Sequence, residues 1–202
     1  MKIVIVDYGS GNLLSVQRGF ERMGHAAVIS RRPQDVMDAS HLVVPGVGCF
    51  PECIKQLEIA GLMGPIYTSV KSGKPYFGIC LGLQILFTEG TEFEIVPGFN
   101  WIPGRVIHFS DDSLKVPHIG WNQVHITQST PMWEGIPEGA YFYFVHSYYG
   151  LPTDRAVIAS TTEYGVTFPS AIWKDNVFAC QFHPEKSQQT GLRLLHNFAQ
   201  MK

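Results

Sequence analysis

The residues best suited to chemistry lie in the pentapeptide Gly78-Ile79-Cys80-Leu81-Gly82. It follows a short apolar run and precedes a helical pattern, so it reproduces the glycine-x-nucleophile-x-glycine elbow with cysteine in place of serine. A turn that sharp leaves no room for side chains at 78 and 82. It would lift Cys80 above the carboxyl edge of a sheet, where open α/β sheets place their sites. A following helix would aim its N-terminus at the sulfur and favour thiolate over thiol, and the Leu81 N–H would be placed to donate to an oxyanion. The same cysteine also fits a packed core position, because free cysteines are among the most buried side chains. The elbow alone leaves both readings open.

A cysteine nucleophile needs a histidine near it in space, itself oriented by a third group. Of the eight histidines, His183 stands out because it opens His183-Pro184-Glu185. Pro184 biases His183 towards an extended backbone, and residues two apart in extended chain project to the same side. Glu185 is thereby predicted to reach the His183 ring, fix its tautomer and stabilise its charged form. Taken by itself the triplet also fits a surface turn with an incidental acid. Joined with the elbow, it describes a Cys-His-Glu triad suited to nucleophilic catalysis by a thiolate.

Two such segments meet only if the chain brings both to one sheet edge, and the pattern predicts this. Residues 2–7, 26–30, 41–45 and 75–79 read as buried strands, and 13–23, 53–60, 62–71 and 81–87 as helices, with Gly24 as a cap. Repeated βα units imply a parallel sheet covered on both faces. Beyond residue 100 the stretches 104–109, 121–126, 140–147, 156–161, 170–173 and 177–182 are β-branched and aromatic. They read as antiparallel and mixed strands extending the first sheet, with Leu192, Leu195 and Phe198 marking a closing helix. With no linker tract, low-complexity run or repeat, residues 1–202 are expected to form a single α/β domain.

Composition narrows the function. Hydrophobic residues make up 45% and charged residues 16%, as in an ordinary soluble globular protein. The 15 Lys+Arg are offset by 17 Asp+Glu, so no basic field exists to gather nucleic acid or an anionic membrane surface. The apolar run at the N-terminus stops at Asp7, too short for a secretory signal. Four cysteines in a chain of this length do not suggest a disulfide framework. Cys49 and Cys53 lack a second ligand pair at zinc-like spacing, and Cys180 sits in an apolar strand and reads as core. A protein of a reducing cytoplasm, with no metal and no cofactor, is expected.

The triad segments resemble the class I glutamine amidotransferases, which carry a G-x-C-x-G elbow followed about a hundred residues later by H-P-E. Four further segments narrow the likeness: Asp7-Tyr8-Gly9-Ser10-Gly11-Asn12, Pro45-Gly46-Val47-Gly48, Pro117-His118-Ile119-Gly120-Trp121-Asn122 and Tyr143-Phe144-Val145-His146-Ser147-Tyr148. These are similar to the glutaminase subunits of imidazole glycerol phosphate synthases. The resemblance implies a flavodoxin-like class I glutaminase fold with extra antiparallel strands. It implies hydrolysis of glutamine by Cys80, His183 and Glu185, with the N–H groups of Leu81 and Val47 as oxyanion hole. By matching position it assigns Gly46, Gly48, Gln84, Glu92, Ser147 and Tyr148 to the substrate, and Asn12, Trp121, Tyr143 and Lys186 to a partner interface. That partner would be a (βα)8-barrel cyclase, a lyase of histidine biosynthesis that receives the ammonia within a heterodimer.

Other readings remain at this level. A paralogous glutaminase could feed another synthase, such as one amidating surface-polysaccharide sugars. A stand-alone cysteine hydrolase would leave Trp121, Tyr143 and Gln84 unexplained, and a silent regulatory subunit would leave the intact triad unexplained. Val47 raises a question of control. Its β-branched side chain resists unusual backbone angles where an oxyanion donor needs a specific peptide orientation. The expectation is that the free subunit keeps this N–H turned away until the partner docks.

Overall fold

The computed structural model describes residues 1–110 and 114–201. The first half alternates strand and helix: β1 (Ile3–Val6), α1 (Leu13–Arg22), β2 (Ala27–Ser30), α2 (Pro33–Asp38), β3 (His41–Gly46), α3 (Phe50–Ile59), α4 (Met63–Lys71), β4 (Tyr76–Cys80) and α5 (Leu81–Gln84). The second half is mostly strand: β5 (Phe87–Gly90), β6 (Val96–Pro97), β7 (Ile102–His108), β8 (His118–Ile126), β9 (Ala140–His146), β10 (Tyr148–Pro152), β11 (Ile158–Tyr164), β12 (Val166–Lys174) and β13 (Val177–Cys180), closed by α6 (Gln188–Ala199).

Among the described residues, nine strands form one sheet in the order β2-β1-β3-β4-β13-β12-β11-β8-β9. The five from β2 to β13 are parallel and the rest antiparallel. The inner strands β1 and β13 are apolar and buried at every position because both faces are covered. In β1, Ile3 and Ile5 enter the core under α1 and α6, while Val4 and Val6 enter the core on the opposite face. No helix of the described residues is long and apolar enough to cross a membrane.

Three expectations need correction. The helix predicted over 81–87 ends at Gln84. The run is apolar on every side, so periodicity cannot separate helix from strand there, and tertiary pairing decides. The carbonyls of Ile85, Leu86 and Phe87 accept N–H groups from Phe99, Trp101, Ile102 and Asn100. The strand expected near 104–109 does not extend the main sheet; as β7 it joins a second sheet, ordered β10-β7-β5-β6. The strand expected at 170–173 begins at Val166 and runs through Pro169. Proline lacks a ladder donor, and Pro169 pairs with Thr161 beside a register shift in β11, where an interrupted ladder tolerates it.

What this topology does for the site is set one rim. Gly46 lies opposite Cys80 across β3 and β4, and Cys180 opposite Ile79 across β13 and β4. The strand ends that carry Pro45–Gly46, the elbow and the His183 segment therefore emerge side by side.

Candidate active site

Cys80 terminates β4 with φ 55° and ψ −105°, a positive φ that costs a non-glycine residue about 1–3 kcal/mol. The flanking glycines make this turn possible. A Cβ at Gly78 would overlap the Gly82 carbonyl, and one at Gly82 would overlap the Val44 carbonyl on the neighbouring strand. Both clashes are with backbone, so no side-chain rearrangement relieves them. Leu81 is the first residue of α5, which leaves its N–H without a helical acceptor. Because α5 is one turn long, the field it directs at the sulfur is smaller than the predicted seven-residue helix would give.

His183 and Glu185 meet as their spacing predicts, although the path differs. His183 is extended, but Pro184–Lys186 forms a 3-10 turn rather than continuing the strand. His183 Nδ1 lies 2.9 Å from Glu185 Oε1, and both side chains are buried. Burial disfavours the imidazolium, yet the Cys80 sulfur and then Glu185 outweigh it and push His183 up to about 10. The sulfur acts on the ring's charge although, among the described residues, His183 Nε2 makes no well-formed hydrogen bond. The backbone beneath the ring is pinned: His183 N–H donates to Tyr143 O at 2.8 Å, Tyr143 N–H to Ser187 Oγ at 3.0 Å, and Ser187 Oγ to His183 O at 2.6 Å.

A cavity of about 410 Å³ opens over the sulfur. Ten of the residues singled out from the sequence line it: Val47, Gly48, Cys80, Leu81, Gln84, Glu92, Ser147, Tyr148, His183 and Lys186. Glu185 stands behind His183. Gly46 lies below the floor, packed closely against the Tyr8 hydroxyl and Leu81. Asn12, Trp121 and Tyr143 fall outside the cavity. Trp121 is 45% exposed, and its ring meets Tyr143 edge-on at 6.2 Å. Lys186 Nζ stands 5.6 Å from the centre of the Tyr143 ring and links this aromatic pair to the cavity mouth.

Two predicted ligand residues carry duties inside the protein as well. Glu92 Oε2 accepts the Phe50 N–H at 2.8 Å and so caps α3. Gln84 is buried, and its Nε2 donates to Tyr148 O at 3.0 Å and to Gln181 Oε1 at 3.1 Å. With both hydrogens used, only its carbonyl oxygen is left for a ligand. Sequence reasoning quoted Pro117, Val145 and His146 within motifs without giving them a role, and they line the cavity; it missed Gln181, whose Nε2 is 3.6 Å from Cys80 Sγ. The period-two rule that linked His183 to Glu185 also places Gln181 on the His183 side of the chain, so a signal for it was present. Cys180 is core, as expected, and wholly buried.

The chain matches the family model described as glutamine amidotransferase class-I over residues 4–201. It is 54% identical to the imidazole glycerol phosphate synthase subunit HisH of Syntrophotalea carbinolica, with 98% of this chain and 100% of that protein covered. It is 50% identical to the protein of the same name from Geobacter sulfurreducens, covering 100% and 99% respectively. Among solved structures, one titled as a glutamine amidotransferase superposes with TM-score 0.75 at 19% identity, covering 97% of this chain and 98% of that one. PurLQS from Thermotoga maritima gives TM-score 0.75 at 15% identity, covering 98% and 97%. These structural likenesses establish the α/β fold.

Proposed function

The chain belongs to the class-I glutamine amidotransferase family, and from that premise we propose that it is the glutaminase subunit of an imidazole glycerol phosphate synthase. It acts as one class I domain that hydrolyses glutamine to glutamate and ammonia and passes the ammonia to a (βα)8-barrel cyclase in histidine biosynthesis. The observation that carries this reading is the strained Cys80 sharing one cavity with the His183–Glu185 pair. Relatives about half identical along their whole length favour this synthase over a polysaccharide-directed paralogue.

The geometry supports a two-step course. Cys80 thiolate attacks the side-chain amide carbon, and the oxyanion is received by the Leu81 N–H and an N–H of the Gly46–Gly48 segment, that of Val47. His183, held charged, gives its proton to the departing ammonia, leaving a thioester on Cys80. The neutral ring then takes a proton from water, which attacks the thioester and releases glutamate. Glu185 keeps the ring oriented and compensates its charge. Gly48, the Gln84 carbonyl oxygen, Glu92, Ser147 and Tyr148 hold the substrate's amino-acid end, while Gly46 lets the oxyanion strand lie close over Leu81.

Asn12, Trp121, Tyr143 and Lys186 form the docking face. Exposed aromatic side chains clustered with a cation are typical of interface anchors. Val47 links docking to chemistry. Turning its N–H into the cavity rotates the Gly46–Val47 peptide, and the β-branched side chain resists that rotation. Ser10 Oγ donates to Val47 O at 2.6 Å and restrains the far side of the residue. The free subunit is therefore the less active form. The central test is Cys80→Ala in the assembled synthase, which should abolish glutamine-driven synthesis and leave ammonia-driven synthesis intact. Turnover with glutamine would refute the assignment.

A further inference from the structure

Gln181 is wholly buried just beyond β13, and the scheme above gives it no task. Its surroundings fix which way its amide points. The Tyr148 carbonyl can only accept, and it receives Gln84 Nε2 at 3.0 Å and His146 Nδ1 at 2.8 Å. Both nitrogens therefore carry hydrogen. Gln84 Nε2 spends its second hydrogen on Gln181 Oε1 at 3.1 Å. With its oxygen committed to Gln84, Gln181 turns its NH2 group to Cys80 Sγ, 3.6 Å away. The other arm is equally determined. His146 Nε2, left as an acceptor, takes the Nδ1–H of His118 at 3.0 Å, and His118 Nε2 accepts from Asn122 Nδ2 at 3.3 Å. Burial lowers His118 to about 4 and His146 to about 3, so both rings stay neutral and the donor directions do not reverse at neutral pH.

We propose that Gln181 is a catalytic hydrogen-bond donor to the Cys80 sulfur, oriented by the Tyr148 carbonyl through Gln84. The inference rests on the thioester reading above. A donor fixed before the reaction begins needs no reorganisation as charge appears on sulfur. It acts twice. The N–H stabilises the thiolate that forms the S–C bond as the C–N bond breaks and ammonia leaves with the His183 proton. It acts again when water adds, its proton passing to His183, and the C–S bond breaks with its electron pair returning to sulfur.

Among the described residues, the remaining titratable groups around the sulfur are His183 with Glu185, the buried Tyr8, Cys53 and Cys180, and Glu92, Tyr148 and Lys186 lining the cavity. All are unchanged in a Gln181 variant, so a shift in sulfur titration reports the lost donor. The test is the pH dependence of Cys80 alkylation by iodoacetamide in the full-length subunit, read peptide by peptide so that Cys49, Cys53 and Cys180 are resolved. Gln181→Met keeps the length and removes the donor. Losing an N–H destabilises the thiolate, so the alkylation midpoint moves to higher pH, by about one unit, and glutamine-driven kcat of the assembled synthase falls about tenfold or more. Gln181→Leu also removes the donor, without adding a charge, and must move the midpoint the same way, which covers the case in which the methionine variant misfolds. An unmoved midpoint in a folded variant overturns the proposal even if activity is lost, because that outcome marks a purely structural side chain. Alkylation needs no glutamine, so a wild-type protein that fails to hydrolyse glutamine would sink the functional reading and still leave this test standing.

Discussion

Replacing Glu185 by glutamine keeps the shape of the triad and removes the charge behind His183. The two side chains are 2% and 1% exposed and their polar atoms 2.9 Å apart, so neither salt nor water screens the interaction appreciably. A hydrogen bond to a charged group is worth about 1.5–3 kcal/mol. Losing it should lower the His183 value from about 10 by roughly one to two units, with the Cys80 sulfur still holding it above the ordinary imidazole range. The imidazolium persists through attack and forms again in thioester hydrolysis. The same energy therefore appears as a fall in glutamine-driven kcat of about 10- to 150-fold. The assay is kcat at saturating glutamine in the assembled synthase, with ammonia-driven synthesis as control and an NMR titration of the His183 ring alongside. A kcat within about threefold of wild type, or an equal fall in the ammonia-driven reaction, would refute the reasoning.

Two further outcomes follow from other parts of the site. In Val47→Gly the side chain that resists peptide rotation is gone, a barrier of about 1–2 kcal/mol for an L-residue. Glutamine hydrolysis by the subunit without cyclase should then rise about 5- to 30-fold, and an unchanged rate would show that Val47 does not restrain the oxyanion strand. The His118–His146 pair makes folding acid-sensitive. Its folded values of about 4 and 3 lie below the unfolded value of about 6.5, so the unfolded chain binds more protons as pH falls. Stability is full above about pH 6.5 and is lost as pH falls towards the folded values, by up to about 4 kcal/mol for the pair between pH 7 and 5. Urea midpoints at the two pH values measure this, and the drop should be smaller in His118→Gln; an equal drop would place the sensitivity elsewhere.

The parallel half of the fold was legible because burial on both faces writes itself as unbroken apolar runs, as in Ile3–Val6. The elbow was legible because two backbone clashes allow only glycine at 78 and 82. The small sheet was not. Phe87–Gly90 is a strand only because distant residues such as Ile102 and Arg105 supply its partners, and no local periodicity records a partner. Within the site, ten of the residues named by motif line the cavity, whereas Gln181 escaped notice because an apolar strand with one amide reads as core until its contact with sulfur is visible. Glu92 shows a different limit. The resemblance suggested a ligand, but nothing local reveals that one of its oxygens also caps the start of α3.

Among the described residues β9 ends the large sheet, and a strand in that position offers its unpaired backbone to any other chain. Here the offer is withdrawn by the segment that carries His183. At Tyr143 the carbonyl is taken by His183 N–H and the N–H by Ser187 Oγ. The loop that places the base thus also protects the sheet against edge-to-edge aggregation. A substitution that loosens it, Ser187→Ala for instance, endangers solubility as well as turnover, so selection for a working triad and selection against self-association bear on the same few residues.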